Sequence, residues 1–456
     1  MKLEKLTLAN FRGFDQIDLD FAYDVTVIAG VNGVGKSGVL KALTSAMSLA
    51  LPKFTVSRET PLGLSDTDVQ SGKHGLSMAV TLGLNAAKTI VDLTRAVPLA
   101  ADKAESLLKR RDNLRFATRE TKRGSKEEQD IVDEIRRIEM QLDEASDIAA
   151  VRILPDDATV TSDEMIAAFK GCSQQPLAVF YSTSRFLSRL PPVLPKTKKV
   201  DAATAYDKSL DQLEVSLNDF ANWYRVVVAE TAAATKDRLF QQLELAIGTF
   251  LPNVCNLALH EGRPPRFSIT KSGQTFFLEQ LSDGERGLLA LVFDLTRRLA
   301  IANPDSDNPI AEGVALVLID EIELHLHPKW QRDVLQRLRD IFKACQFVVT
   351  THSPLVLGEV PARCLRFLEF VNGRVGVTVP TEAYGMDANR ILQEFMGAPV
   401  RNRDVAGELK SLFELIDQER FDEARSAIAA LERKLGEDEP ELTRASSLIR
   451  FLEGAE

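Results

Sequence analysis

Apolar residues along this chain fall first into strand rhythm and then into helical rhythm. Residues 2–9 and 16–29 alternate or run apolar and end in Val25-Thr-Val-Ile-Ala29, a β-branched run suited to a sheet interior. A glycine-rich loop follows. In residues 37–51, Val39, Leu40, Leu43, Met47 and Leu51 recur near a 3.6-residue period, predicting a helix that Pro52 ends. Strand-like 177–181 precedes a Pro- and Lys-rich loop at 191–199, and helical patterning covers 205–245. Residues 314–319 read as a buried strand, 329–342 as a helix and 347–350 as a β-branched strand. Beyond Asp387 the pattern is helical, with Leu409, Leu412, Phe413 and Ile416, then Phe421, Ala424, Ile428, Leu431 and Leu435.

Between these segments, residues 100–146 carry dense alternating charge, with Ile131, Ile135, Ile138 and Leu142 on a heptad-like seam and Arg123-Gly124-Ser125 as a turn. The pattern predicts a helical hairpin with arms of roughly 30 Å at 1.5 Å per residue. The expected organisation is an α/β fold: an N-terminal lobe (1–99) with the glycine-rich loop, the hairpin insertion (100–146), the remainder of the α/β head (147–386) and a helical C-terminal domain (387–456). No repeat of solenoid period is present.

The 456 residues are 45% hydrophobic, enough for one large or two modest cores. No apolar run reaches membrane-spanning length and the first residues lack a signal-peptide stretch, so a cytoplasmic protein with no membrane association is expected. Cys172, Cys255, Cys345 and Cys364 are scattered, predicting buried reduced thiols. At a net charge of −10 the whole molecule repels phosphate backbones, so a nucleic-acid contact needs a local patch. The hairpin offers one: Lys109, Arg110, Arg111, Arg115, Arg119, Lys122, Arg123 and Lys126 face only Asp112 and Glu120. That stretch is either a solvated face or a nucleic-acid or partner contact. The tail from 387 holds 16 acidic against 10 basic residues and suits a protein partner or a capping bundle.

Candidate chemistry begins at Gly30-Val-Asn32-Gly33-Val-Gly35-Lys36-Ser37, followed by Gly38, which fits G-x-x-x-x-G-K-[ST] between strand and helix. Glycines let backbone N–H groups converge on phosphates at a helix N-terminus, Lys36 reaches the β and γ phosphates of ATP, and Ser37 holds Mg2+. The apolar strand at 314–319 ends in Asp320, a Mg2+ ligand direct or through water, and Glu321, placed to activate the attacking water. Leu281-Ser282-Asp283-Gly284-Glu285 opens a helix and by itself reads as an N-cap. Phe347-Val-Val-Thr-Thr-His352 ends a strand in histidine.

In this order, the four pieces resemble the ABC/SMC ATPase heads. The resemblance implies that Ser282, Gly284 and Glu285 meet ATP bound in a second copy, so that the working unit is at minimum a homodimer. It also implies that His352 senses the γ-phosphate and that Gln70 is a candidate Mg2+-sensing glutamine. Asn10-Phe-Arg-Gly-Phe14 and Asp320-Glu-Ile-Glu-Leu-His325-Leu-His327-Pro328 look like the RecF/SMC-type and AAA-like defence ATPases rather than transporters. In that branch His325 and His327 lie on a dimer-contacting loop, which displaces the metal-pair reading that their spacing suggests. Tyr181-Ser-Thr-Ser-Arg185, the stretch from Asn218 to Arg225 and that from Tyr384 to Gly397 resemble the ATPase subunit family of Septu-type antiphage systems, PtuA, sometimes found inside retrons. The implied partner is a separate HNH nuclease of PtuB type. No histidine follows His352 and no Asp-x-Asp follows residue 353, so a nuclease site is not expected in this chain. The alternative is a RecF/SMC-like repair ATPase that clamps DNA.

Overall fold

The computed structural model describes the chain except residues 74, 85–86, 97–100, 121–125, 144–147, 156–159, 212–213, 400, 437 and 455–456. Side chains are also outside the description at 96, 101–105, 119–120, 127–128, 136, 139–143 and 148–149. The expected turn at 123–125, Lys122, and the side chains of Arg119, Glu120 and Leu142 therefore lie outside the described residues.

In chain order the elements are β1 (Lys2–Phe11), β2 (Phe14–Asp20), β3 (Val25–Gly30), α1 (Lys36–Phe54), β4 (Gly75–Leu84), β5 (Ala87–Ala96), α2 (Ala101–Glu120), α3 (Lys126–Asp143), β6 (Ile148–Pro155), α4 (Ser162–Gly171), β7 (Leu177–Tyr181), α5 (Leu217–Glu230) and α6 (Ala233–Phe250). They continue as β8 (Val254–His260), β9 (Arg266–Lys271), β10 (Gln274–Phe277), α7 (Asp283–Ala302), α8 (Pro309–Glu312), β11 (Ala315–Ile319), α9 (Pro328–Ile341), β12 (Gln346–Thr350), α10 (Pro354–Leu357), β13 (Leu365–Val371), β14 (Arg374–Thr378) and α11 to α14 (Ala388–Glu394, Arg403–Asp417, Phe421–Leu435, Pro440–Leu452). The chain divides into two compact units, Met1–Asp387 and Ala388–Glu456.

The first unit is α/β. Its central sheet runs β14-β13-β3-β12-β11-β7, parallel throughout except for β14. β3, β11 and β12 are buried at every position, as expected for parallel strands covered on both faces. A second, antiparallel sheet runs β2-β1-β4-β5-β6, and a three-stranded sheet runs β10-β9-β8. Helix α1 packs on β3, β12 and β7 and also on β4, β5 and β6, so it is enclosed between two sheets and buried nearly all round. Gln346 joins the same two layers: its amide accepts from Leu3 N at 2.7 Å and donates to Leu3 O at 2.9 Å.

The charged hairpin, α2 against α3, leaves the antiparallel sheet after β5 and returns as β6, which pairs with β5 and completes that sheet. Ile138 is its buried seam residue, with Ile131 and Ile135 half-buried. Arg110 pairs with Glu134 across the hairpin and Arg111 pairs with Asp112 at 2.9 Å. The second unit packs α12, α13 and α14 around Leu409, Leu412, Ile416, Ala424, Ile428, Leu431 and Ile449.

Three expectations are corrected. Helix α1 does not stop at Pro52 but runs to Phe54, because a proline in the last turn removes only one hydrogen bond, the one to the Ser48 carbonyl. Residues 206–216 are not helical; the helices there are α5 and α6, entered through the Ser216 cap, whose hydroxyl accepts from Asp219 N at 3.1 Å. Only Cys345 and Cys364 are buried; Cys172 sits at the exposed end of α4 and Cys255 on the edge strand β8. No helix among the described residues is long and apolar enough to cross a membrane.

Candidate functional site

The strand order places the carboxyl ends of β3, β12 and β11 side by side, where open parallel sheets hold ligands. The loop after β3 needs its glycines for separate reasons. Gly30 (φ 146°) lies against β13, where a Cβ would stand 2.2 Å from Leu368 O. Gly35 (φ 106°) caps α1, and a Cβ there would meet the Phe14 ring at 2.5 Å. Gly33 (φ 80°) has open space around it and requires only the backbone conformation. Asn32, Gly33 and Ser37 are exposed, whereas Gly38 is buried beside Arg12 and Phe14.

Helix α1 has no side-chain cap and no acid in its first turn, and its first backbone bond runs from Val39 N to Gly35 O at 3.1 Å. The N–H groups of Lys36, Ser37 and Gly38 precede that bond and point out of an uncapped, electropositive helix end. Lys36 Nζ donates to the loop carbonyls of Gly30 (2.9 Å) and Val31 (3.1 Å). Burial lowers the Lys36 pKa from the usual lysine value, opposed by the carboxylates of Glu321, Asp320 and Glu323.

The Asn10-to-Phe14 turn supports this helix end. Arg12 Nε donates to Asp68 Oδ1 at 2.8 Å, and Lys41 of α1 pairs with the same carboxylate at 3.4 Å. Burial raises the Asp68 pKa, but bonds from Ser65 and Arg12 outweigh it and leave the group below the usual range. Two residues on, Gln70 N donates to Asn10 O at 2.9 Å, and Gln70 Oε1 is buried without a hydrogen-bond partner.

Across the sheet, Thr350 Oγ1 donates to Asp320 Oδ1 at 2.5 Å and accepts from Glu321 N at 2.8 Å. Glu321 holds a left-handed backbone, φ 46°. Arg185, nine-tenths buried, donates to the carbonyls of Asp320 (2.6 Å), Glu321 (2.7 Å) and Ile322 (3.2 Å). Burial lowers the Arg185 pKa to about 10 against the pull of Glu323, Asp320 and Glu321, so it stays charged at neutral pH. Glu323 accepts from Thr351 Oγ1 (2.8 Å) and His352 N (2.5 Å). Burial first, then Lys36, lowers the His352 pKa, so its ring is neutral at pH 7.

Lys36, Asp320, Glu321 and His352 thus form one electrostatic cluster, with Gln70 attached to the base of α1 through Arg12 and Asp68. Ser282, Gly284 and Glu285 form another. Ser282 and Glu285 make a capping box, Ser282 N donating to Glu285 Oε2 at 3.0 Å, and Lys271 pairs with Glu285 at 2.5 Å. Burial raises the Glu285 pKa, but Lys271 and Ser282 outweigh it and hold it low. A Cβ on Gly284 would lie 2.5 Å from His325 O, so α7 begins in close contact with the loop after β11. On that loop the His325 ring lies beside Phe186 and His327 caps α9, its Nδ1 accepting from Lys329 N at 3.2 Å. Among the described residues no cluster of His, Cys, Asp or Glu forms a metal-ligand set by itself.

Sequence reasoning did not single out Glu323, Thr350, Asp68 or Arg185 as site residues. The spacing Asp320-Glu-Ile-Glu323 and the polar pair Thr350-Thr351 closing an apolar strand are signals for the first two; Arg185 ends the stretch Tyr181-Ser-Thr-Ser-Arg185, which carried the family resemblance without a role, and Asp68 carries no signal. The oxygen set of Ser37, Asp320 and the orphaned Gln70 Oε1 fits the hard ligands that Mg2+ takes.

The family described as AAA domain matches residues 5–246, and a second AAA-domain family, whose description includes a Type IV TA system, matches residues 207–358. The Retron Ec83 probable ATPase of Escherichia coli is 25% identical over 97% of this chain and 85% of its own length. The Septu protein PtuA of Bacillus thuringiensis is 24% identical over 53% of this chain and 59% of its own. The SMC head domain from Thermotoga maritima, at 16% identity, covers 84% of this chain and 100% of that one with a TM-score of 0.41, too loose a likeness to carry an argument.

Proposed function

Because the chain belongs to the AAA-domain family and is an ABC/SMC-like ATPase related to the retron ATPases and Septu PtuA, we propose that it serves as the ATP-hydrolysing, regulatory subunit of an antiphage defence complex. In this reading it acts in the cytoplasm, closes as a homodimer on ATP, and through that closure gates a separate HNH nuclease of PtuB type. The observation that carries the ATPase part is the meeting of an uncapped helix end and Lys36, after β3, with Asp320 and Glu321, after β11, at the carboxyl ends of two parallel strands that flank β12.

The open N–H groups of Lys36, Ser37 and Gly38, with Gly33, Gly35 and the side chain of Asn32 beside them, cradle the phosphates of ATP, and Lys36 exchanges its loop carbonyls for β and γ oxygens. Ser37, Asp320 and Gln70 would hold Mg2+, which neutralises phosphate charge when bound. Glu321 takes a proton from the water that attacks the γ-phosphorus, giving ADP and phosphate. Neutral His352 donates a hydrogen bond toward the γ-phosphate. Ser282, Gly284 and Glu285, grouped apart from Lys36, meet the ATP of a second copy. The repair-clamp alternative is weakened by the hairpin, where Arg110 and Arg111 are already paired with Glu134 and Asp112.

Lys36→Ala is expected to abolish binding of a fluorescent ATP analogue. Glu321→Gln is expected to bind ATP and retain it, with turnover reduced at least a hundredfold. Unchanged hydrolysis in both variants would refute the site. Affinity purification of the Glu321→Gln chain with ATP tests the nuclease reading: a stoichiometric HNH protein supports it, and DNA-bound homo-oligomer alone favours the repair clamp.

A further inference from the structure

A cleft of 530 Å3 opens beside the first turn of α7, outside the cluster around Lys36. One wall is the β9–β10 hairpin with Arg266 and Phe277; another is the segment after β7 with Arg189 and Leu190; Pro265 and Arg286 complete it. Three arginines face one lining carboxylate, Glu279, in a chain whose net charge is −10, so the positive character is local rather than inherited from the whole molecule. Arg189 is exposed and makes no ion pair among the described residues. The Arg286 guanidinium is joined on one side to Asp283, while its Nε is buried without a hydrogen-bond partner. Arg266 lies over the Phe277 ring, 5.0 Å from its centroid, so a planar cation and an aromatic ring are already stacked at the rim.

We propose that this cleft binds a nucleotide unit, phosphate and base together, presented by a single nucleic-acid strand or as a free nucleotide. Guanidinium groups grip phosphate oxygens through paired N–H donors, which lysines at the same places would not do. The Arg266–Phe277 pair supplies a flat face for a base, and Leu190 and Pro265 line the remainder with apolar surface. The volume lies within the range of small-ligand sites and admits one nucleotide rather than a duplex. The site goes beyond the ATPase reading and does not depend on it, since neither Arg189, Arg266 nor Phe277 belongs to that machinery.

The test uses the full chain without ATP and a labelled, 5′-phosphorylated ten-residue oligothymidylate, followed by fluorescence anisotropy over a salt series. The wild-type chain binds the strand. Arg189→Ala combined with Arg266→Ala weakens binding at least tenfold and flattens the slope of log K against log salt by about 1.4, from about 0.7 per lost phosphate contact on a single strand. Phe277→Ala weakens binding at least fivefold and leaves the slope unchanged, because stacking carries no counterions. Arg266→Lys retains the slope while losing affinity, and wild-type melting curves for these variants show that the fold is kept. Displacement of the strand by dTMP assigns the cleft to free nucleotides; strand binding that resists dTMP assigns it to the strand. No binding of the strand, an unchanged affinity in the double arginine variant, or capture of polyglutamate in place of the strand overturns the proposal.

Discussion

Glu321 keeps a backbone conformation that costs a non-glycine residue about 1–3 kcal/mol, and Arg185 holds it there by donating to three successive carbonyls. Arg185 touches no reacting atom in this arrangement; it positions the general base. Arg185→Ala is therefore expected to lower kcat for ATP hydrolysis ten- to a hundredfold while the Kd for ATP stays within threefold, and Arg185→Lys to recover part of the loss. Equal losses in binding and turnover, read by titration and steady-state kinetics, would reduce Arg185 to a purely structural role. Asp68 makes a pH-dependent contribution. Its folded pKa lies below the unfolded value, so its stabilisation is complete above the usual carboxylate range and is lost as pH falls through the lowered folded value. Asp68→Asn is thus expected to melt earlier than wild type at pH 7, with the gap closing as pH falls below the usual carboxylate range. The P-loop was legible because glycine spacing, Lys36 and Ser37 are one short local word. The roles of Arg185 and Asp68 were not, because Arg185 acts on carbonyls 135 residues away and Asp68 ties Arg12, 56 residues away, to Lys41 of α1, links between distant segments that no local pattern encodes.

Helices and strands of the first unit meet at points where a single atom decides the fit. Gly35→Ala would drive a methyl into the Phe14 ring and strain a φ of 106°, so a destabilisation of about 1–3 kcal/mol and loss of ATP binding are expected together. Calorimetric melting with and without ATP checks both. Helix α7 is anchored differently. Its Asp294 accepts from Arg297 (2.8 Å), Arg298 (2.7 Å) and Tyr181 of β7 (3.1 Å), and Arg298 continues to the carbonyls of Ala205 and Asp207. Burial would raise the Asp294 carboxyl, but Arg298 and Arg297 hold it well below the usual range. Asp294→Ala removes the buried carboxylate that Arg297 and Arg298 share and is expected to cost about 3–5 kcal/mol, read as loss of soluble protein or a sharply lower melting temperature. Periodicity identified β3, α1, β11, β12 and the helical tail, whose apolar stripes are strong. It missed β8, β10 and β14, edge strands whose exposure erases the alternation on which the reading depends, and the short middle strand β9, which buries three successive positions and so does not alternate.

At the scale of the molecule, the signature residues form a cluster of their own around Glu285 and Lys271, while the phosphate cradle centres on Lys36. If the two belong to different copies, mixing equal amounts of Lys36→Ala and Ser282→Arg chains should restore about a quarter of wild-type hydrolysis, since half of the dimers then carry one intact composite site of two. No recovery on mixing would place the whole site within one chain. The sheet order carries a further consequence for biosynthesis. The strand leading into the phosphate loop, β3, has β12 and β13 as its two neighbours, and both are translated more than three hundred residues later. A ribosome must finish most of the message before Val25 to Ala29 find any sheet to join, so the nascent chain carries an unpaired, aggregation-prone apolar segment throughout that interval. Nucleotide cannot rescue it early, and a polypeptide truncated before residue 346 would keep the loop's letters without the sheet that gives them their shape.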